Sequence, residues 1–369
     1  MKTTTKLFCS PKRNLALMAD MALIIILLIG NGVLSAIAKE SQPVVKENRL
    51  ISLDDAKKTA KESGRDVLID FSASDWCSWC IRLTKEVFTT EIWKKESSKK
   101  YVMIFLDFPR GEIISKEQKE YNYNVARQFM ITGYPTVFLL DSGGRPYAKT
   151  GYQQGGPEKY LAHLEAFTNR KQERDDLLKQ AKGTAQEKRL PLLEKVITQL
   201  NQWEVDFGYP EIKEEIVSLD ADNKNGLKLK YAVELAQDYQ NKGNKEKVEF
   251  YLNIVKQLDP NKGKKLEIDI KIDEIQSKYF QSQDWNGALA ALNKLTESKP
   301  EGESAQDIYY SIALVYYKLN DNDKTIENLE KALNYAPDSE LGKRIKKTLD
   351  NMKQQKQKKE SKPETPSPK

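Results

Sequence analysis

The chain has 369 residues, 39% of them hydrophobic and 31% charged. That is length for about two or three domains, and a composition too polar for a multi-span membrane protein. The 60 basic and 54 acidic residues leave a net charge of +6, small and intermixed, so nucleic-acid binding has little support. One histidine, His163, and three cysteines leave few ligands for a His/Cys zinc site, which needs about four.

The first 38 residues read as an export signal. Lys2, Lys6, Lys12 and Arg13 form a basic front, an apolar run follows from Leu15 to Ile29, and Ala36-Ile37-Ala38 offers small residues for cleavage. The strictly apolar part, Met21–Ile29, is short for a spanning helix, which needs about 20 residues. Left uncleaved, the segment would serve as an N-terminal membrane anchor. Cleavage would change the net charge from +6 to +3 and remove Cys9, leaving Cys77 and Cys80 alone in the mature chain. The expected location is outside the cytoplasm, in a periplasm, where disulfides form and persist.

Asp66–Phe71 is an unbroken β-branched and apolar run that predicts a buried strand. Trp76-Cys77-Ser78-Trp79-Cys80 follows, and then a helix with Cys80, Leu83, Val87 and Phe88 near one face. Cys77 therefore falls at or near a helix N-terminus, where free N–H groups and the helix dipole favour a thiolate. Cys80, one turn further in, is placed to resolve a mixed disulfide. Haem attachment would want His where Ile81 stands, and zinc would want a second ligand pair. A purely structural bridge closing so short a loop would add little stability. Redox use is favoured over these alternatives, with no metal or other cofactor required.

Tyr101–Asp107 predicts a second strand, Lys116–Met130 a helix, and Thr136–Leu140 a third strand. The Asp141-Ser142-Gly143-Gly144 turn leads into a fourth strand at Pro146–Thr150, and Pro157–Phe167 predicts a closing amphipathic helix. His163 lies on that helix, where a ring bordering the apolar face is favoured over a catalytic one. The order describes an α/β layered domain.

Val67-Leu68-Ile69-Asp70-Phe71, the WCSWC centre, Gly133-Tyr134-Pro135-Thr136 and the Gly143-Gly144 hairpin together resemble the thioredoxin superfamily over about residues 50–168. Within it the chain is similar to exported thioredoxin-like proteins with a Trp-Cys-x-Trp-Cys centre. The resemblance implies Cys77 as attacking thiolate, Cys80 as resolving thiol, and Pro135 as a cis-proline facing the disulfide. Beside Pro135, an extended substrate chain would pair by strand addition. It also implies Asp70 as a buried acid assisting proton transfer; the bland alternative is a strand-end residue capping a turn. Trp76 would shield the site, and Trp76, Tyr134 and Pro135 would contact substrate.

Three features depart from the family pattern. Seven positions separate Asp70 from Cys77, one more than in typical thioredoxins. The centre is Ser-Trp, with a bulky Trp79 inside the motif. The Phe108–Tyr123 stretch, with its Pro109-Arg110-Gly111 turn, is longer than in a minimal thioredoxin.

The second half repeats. Tyr309, Ile312, Ala313, Tyr316, Thr325, Leu329, Ala332 and Pro337 mark one unit. Ile272, Ile275, Gln276, Tyr279, Ala288, Leu292, Leu295 and Pro300 mark the unit before it, and Tyr231, Leu235, Ala236, Tyr239, Val248, Leu252, Val255 and Pro260 the first. These positions fit a degenerate tetratricopeptide pattern, in which stacked helical hairpins bury each other's faces. Tyr239, Tyr279 and Tyr316 fit an interhelix core better than a ligand cage.

The expected organisation is an α/β thioredoxin-like domain followed by an all-α helical-repeat domain. Its segments are a signal at 1–38, the thioredoxin-like domain at 45–169, a helical connector or divergent repeat at 170–225, tetratricopeptide-like repeats at 226–350 and a disordered tail at 351–369. The expected function is an exported thiol–disulfide oxidoreductase acting on protein disulfides or dithiols. It would work with a membrane or periplasmic redox partner, and its repeats would hold a protein partner; nucleic acid is not expected. The rival reading is an envelope adaptor whose thioredoxin-like domain mainly docks, and a weaker third is a peptide-binding lid on a larger redox relay.

Overall fold

The computed structural model describes residues 52–280 and 282–360. The export signal expected over 1–38 and the tail segment 361–369 lie outside the described residues. Among the described residues no helix is long and apolar enough to cross a membrane. The chain divides between Asn244 and Lys245 into two compact units.

The first unit opens with α1 (Leu53–Ser63), which the hydrophobic pattern alone did not announce. Its cues are local: the Ser52 hydroxyl accepts from the Asp55 N–H, Asp54 and Asp55 sit in the first turn, and Gly64 ends the helix in the left-handed region at φ 68°. β1 (Asp66–Ser72) follows and leads to α2 (Ser78–Leu83), which runs on through a π-helical turn, Thr84–Phe88. Thr90 caps α3 (Glu91–Lys100), a second helix found only in the structure, and β2 is Tyr101–Asp107. α4 spans Lys116–Gln128 and stops short of the expected Met130, whose φ of 50° cannot continue a helix. β3 (Thr136–Leu140), β4 (Pro146–Thr150) and α5 (Gly156–Glu165) complete the layered part.

The strand order is β2-β1-β3-β4, with β1 and β2 parallel and the other neighbours antiparallel. Alternation sends Leu68 to one face, where it meets Leu83, Val87, Trp93, Val137, Leu139, Tyr160 and Leu164. On the opposite face Phe71 packs on Phe129 and Phe138, with ring centroids 5.5 and 6.1 Å apart.

Four more helices belong to this first unit: α6 (Thr168–Lys182), α7 (Gln186–Gln202), α8 (Pro210–Leu219) and α9 (Leu227–Asn241). A 3-10 turn, Asp206–Gly208, presses on the β3–β4 hairpin so closely that a Cβ at Gly208 would lie 2.4 Å from Pro146. Phe207 adds its ring to Phe129 and Phe138, and the Tyr209 hydroxyl donates to the Pro146 carbonyl at 2.7 Å. Buried Arg174 binds Asp141 at 2.8 Å and donates to Tyr209 at 2.9 Å. The compact unit thus extends past the boundary expected at 225–226, because α9 buries Tyr231, Ala232, Leu235 and Ala236 and packs on α8.

The second unit is all helical: α10 (Lys245–Leu258), α11 (Pro260–Tyr279), α12 (Trp285–Thr296), α13 (Gly302–Lys318), α14 (Asn322–Tyr335) and α15 (Glu340–Glu360). Pro260 opens α11, and Pro300 and Pro337 lie in the connections before α13 and α15. Ile272, Ala288, Leu292 and Ile312 form one core cluster, with Ile275, Tyr279, Leu295, Tyr309 and Tyr316 packed against it. α15 corrects the expected tail: residues 351–360 continue the helix. Lys, Gln and Glu are good helix formers, and Lys353 pairs with Glu330 of α14 at 2.6 Å.

One buried charge fastens α8 to α9. The Lys213 ammonium lies 2.7 Å from Asp238, 3.1 Å from Asp206 and 3.1 Å from Glu234. Burial alone would lower the Lys213 pKa, but the charges of Asp238, Asp206 and Glu234 outweigh it and hold the pKa above the ordinary lysine value. A folded pKa raised in this way keeps the lysine's contribution intact through neutral pH and removes it only in strong alkali. Lys213→Met should therefore cost about 3–5 kcal/mol at pH 7, because it strands buried carboxylates. The deficit should shrink as pH falls and the stranded Asp238, whose pKa burial raises, takes up a proton. Urea unfolding followed by tryptophan fluorescence checks this, since Trp76, Trp79, Trp93 and Trp203 all lie in the first unit.

Candidate functional site

β1 ends at Ser72, and the chain must turn from sheet to helix within the next few residues. The Cys77 N–H donates to the Ala73 carbonyl at 3.1 Å, and Cys77 becomes the N-cap of α2. Its Sγ occupies the place a capping oxygen usually takes and accepts from the Cys80 N–H at 3.2 Å. Cys77 and Cys80 are joined as a disulfide with Cα atoms 5.2 Å apart. Cys77 is 7% exposed and Cys80 1%, so the first sulfur has the better access. Cys80, Leu83, Val87 and Phe88 form the buried face of the helix, as their spacing predicts.

Three side chains tie the turn before Cys77 to the end of β2 and the segment after it. Asp107 accepts from both the backbone N–H and the hydroxyl of Ser74, at 2.9 and 2.6 Å. Asp75 accepts from the N–H groups of Arg110 and Gly111, at 3.0 and 2.8 Å. The Trp76 indole N–H donates to the Phe108 carbonyl at 2.9 Å. Trp76 stays 38% exposed, with the Arg110 guanidinium 4.6 Å from its ring centroid and Tyr134 edge-on at 5.9 Å.

The Tyr134–Pro135 bond is cis. The Thr136 hydroxyl donates to the Gly133 carbonyl at 2.7 Å across that turn. The Tyr134 ring also packs on Phe108 at 5.0 Å, and burial pushes its hydroxyl pKa up. The structure thus brings together the rings of Trp76, the neighbour of Cys77 in sequence, and Tyr134, the neighbour of Pro135.

Asp70 is buried in β1, paired in register with Phe105 and Val137. It points to the same sheet face as Leu68, the face against which Leu83 and Val87 of the cysteine-bearing helix pack. Its charge reaches Tyr160, whose pKa rises first through burial and then through Asp70. His163 packs on Phe167 at 4.9 Å, and its Nε2 lies 2.8 Å from the Thr150 hydroxyl. Burial, then Arg170, lowers its pKa, and its surroundings are those of a packing residue.

Three further residues at the site escaped the sequence reading, Asp75, Glu86 and Tyr152, and Arg110 figured there only as part of a turn. Asp75 adjoins WCSWC and was legible as a turn former, but its partners lie 35 and 36 positions away. Trp79, 53% exposed, meets Tyr152 at 5.3 Å and Arg82 at 5.4 Å, and no local pattern links those positions.

A family described as the thioredoxin-like domain matches residues 53–168. Disulfide bond reductase DsbH of Chlamydia pneumoniae is 25% identical over 129 residues, which are 35% of this chain and 78% of that protein. A solved structure titled DsbH oxidoreductase is 24% identical and covers 36% of this chain and 94% of its own, with a TM-score of 0.31. The mixed four-stranded sheet, the cysteine pair where β1 gives way to α2, and the family match over the same stretch agree: residues 53–168 are a thioredoxin-like domain.

Proposed function

We propose that this protein is an exported thiol–disulfide oxidoreductase that reduces disulfides in other proteins. The observation that carries the reading is the Cys77 sulfur at the N-terminus of α2, accepting the Cys80 N–H. A sulfur in that place is stabilised as a thiolate, the reactive form in exchange. The similarity to a protein named disulfide bond reductase supports the reducing direction.

In the reduced enzyme the Cys77 thiolate attacks one sulfur of a substrate disulfide. A mixed disulfide forms and the substrate's other sulfur leaves as a thiolate. Cys80, deprotonated, attacks the Cys77 sulfur and expels the second substrate thiolate. Two electrons pass from the enzyme to the substrate; the Cys80 proton, passed on through Asp70, and one proton from solvent end on the two substrate sulfurs. Asp70, buried on the sheet face under α2, accepts the Cys80 proton directly or through water. Trp76, Tyr134 and Pro135 line the surface where the substrate segment lies. The basic front, apolar run and Ala36-Ile37-Ala38 exit of residues 1–38 support export. The helical second unit, with its recurring core positions, supports a tetratricopeptide-like module that holds a protein partner and raises the local concentration of substrate.

The reduction potential of the Cys77–Cys80 pair, measured on residues 39–369 in dithiothreitol or glutathione buffers, tests the direction. A value near about −270 mV fits a reductase, whereas one near about −120 mV would make the protein an oxidant and overturn the proposed direction. Cys80→Ser should trap substrates as mixed disulfides on Cys77, and Cys77→Ser should neither trap nor turn over. Asp70→Asn should leave the attack by Cys77 in place and slow the resolving step by about 100-fold or more near neutral pH. Raising the pH should recover much of that loss as Cys80 ionises without help. Quenched-flow alkylation of the mixed species would show it, and an unchanged resolving rate would assign Asp70 to the fold alone.

A further inference from the structure

Trp79 stands between the two cysteines and is the more exposed of the two tryptophans at the site, yet three side chains close a ring with it and hold it. Its indole meets the Tyr152 ring at 5.3 Å and the Arg82 guanidinium at 5.4 Å. Glu86 joins those two: one carboxylate oxygen lies 3.1 Å from Arg82 Nε, and the other accepts the Tyr152 hydroxyl at 2.6 Å. Arg82 and Glu86 are one turn apart, but Tyr152 comes from the segment after β4, 66 positions away from Glu86. Glu86 sits inside the π-helical turn Thr84–Phe88, a local widening of the helix of the kind that recurs at functional sites.

The clamp has a definite chemistry. Arg82 and Glu86 neutralise each other, so the wall they support presents an indole and a phenol ring and no net charge. A free indole on the surface would sample several rotamers, and binding would have to freeze them. A clamped one offers a large apolar face already in place. Charge does not recommend an acidic or a basic segment at this wall. An apolar side chain does fit it, provided that it lies beside the sulfur under attack.

We propose that Glu86 is a positioning residue for Trp79, and that the fixed indole face selects polypeptide disulfides carrying a large apolar side chain next to the reacting cysteine. This rests on the oxidoreductase reading above. Each turnover is balanced: reduced enzyme and peptide disulfide give oxidised enzyme and two peptide thiols.

The test uses the chain over residues 39–369, reduced with dithiothreitol and freed of it, then mixed with two synthetic peptide disulfides. They are identical except for Leu or Ser beside the cysteine, and acid-quenched alkylation gives each second-order rate. The ratio of the two rates is the readout, because a general loss of activity leaves it unchanged. Wild type should prefer the Leu peptide by about tenfold, the discrimination that one apolar contact supplies. Trp79→Ala should bring the ratio to about one, while Glu86→Gln and Tyr152→Phe should each bring it to about two or three. Adding Glu86→Gln to Trp79→Ala should change the ratio no further, since residues acting through one another are not additive. Equal wild-type rates, an unchanged ratio in Glu86→Gln, or a further fall in the double variant would each overturn the proposal. Wild type reacting with neither peptide would overturn the oxidoreductase reading itself, and the proposal with it.

Discussion

The turn between Ser72 and Cys77 is the constraint on which the site depends. It must carry the chain off the end of β1 and deliver a cysteine sulfur to the first N–H groups of a helix. Two of the departures from the thioredoxin pattern are an extra residue between Asp70 and Cys77 and a long segment after β2, and nothing in the sequence relates them. In the structure they are one feature. Ser74 bonds to Asp107 at the end of β2, and Asp75 and Trp76 bond to the segment after it, at Arg110 and Gly111 and at Phe108. The Asp75 and Trp76 side chains of the turn satisfy backbone groups of the longer segment, the N–H groups of Arg110 and Gly111 and the carbonyl of Phe108. The extra residue between Asp70 and Cys77 lies in a turn tied down along its length.

The strands were the most legible part. Asp66–Phe71, Tyr101–Asp107, Thr136–Leu140 and Pro146–Thr150 are compact apolar or alternating runs, and the structure adds only Ser72. Helices α1 and α3 were not read, because each buries only a few side chains and their strongest signals are the caps Ser52 and Thr90. The cysteine pair and the Tyr134–Pro135 turn are legible because their chemistry is packed into adjacent positions. The ring of Trp79, Arg82, Glu86 and Tyr152 is not, because its last member lies 66 positions from Glu86. Long-range pairs between common residue types leave no mark in a single sequence.

Buried charge explains why the helices after α5 belong to the first unit. Arg174 is sealed in α6 with its guanidinium on Asp141, and Lys213 is sealed in α8 among three carboxylates. A cation is left out of water only where every face of it finds a partner, so each position specifies one arrangement of its neighbours. An apolar contact would tolerate sliding by a turn; a five-donor guanidinium shared among Asp141, Asp175 and Tyr209 does not. These pairs are weak evidence for added stability and better evidence for a fixed register between the sheet and the helices that follow it.

The register of the sheet decides what that attachment leaves open. β3 runs antiparallel to β1, with Leu140 opposite Val67 and Thr136 opposite Phe71. The hairpin turn that Arg174 and Tyr209 grip, Asp141 to Pro146, therefore lies at the end of the sheet where β1 begins. Cys77 follows the other end of β1, and Pro135 enters β3 at that same end. Grip and chemistry are separated by the length of a strand. The helices are anchored firmly to the domain without drawing on the turn, the cis-proline or the exposed faces of Trp76 and Trp79. The extended substrate segment proposed above would lie at that end of the sheet, and the antiparallel pairing of β1 with β3 keeps it a strand's length from the grip through the backbone alone.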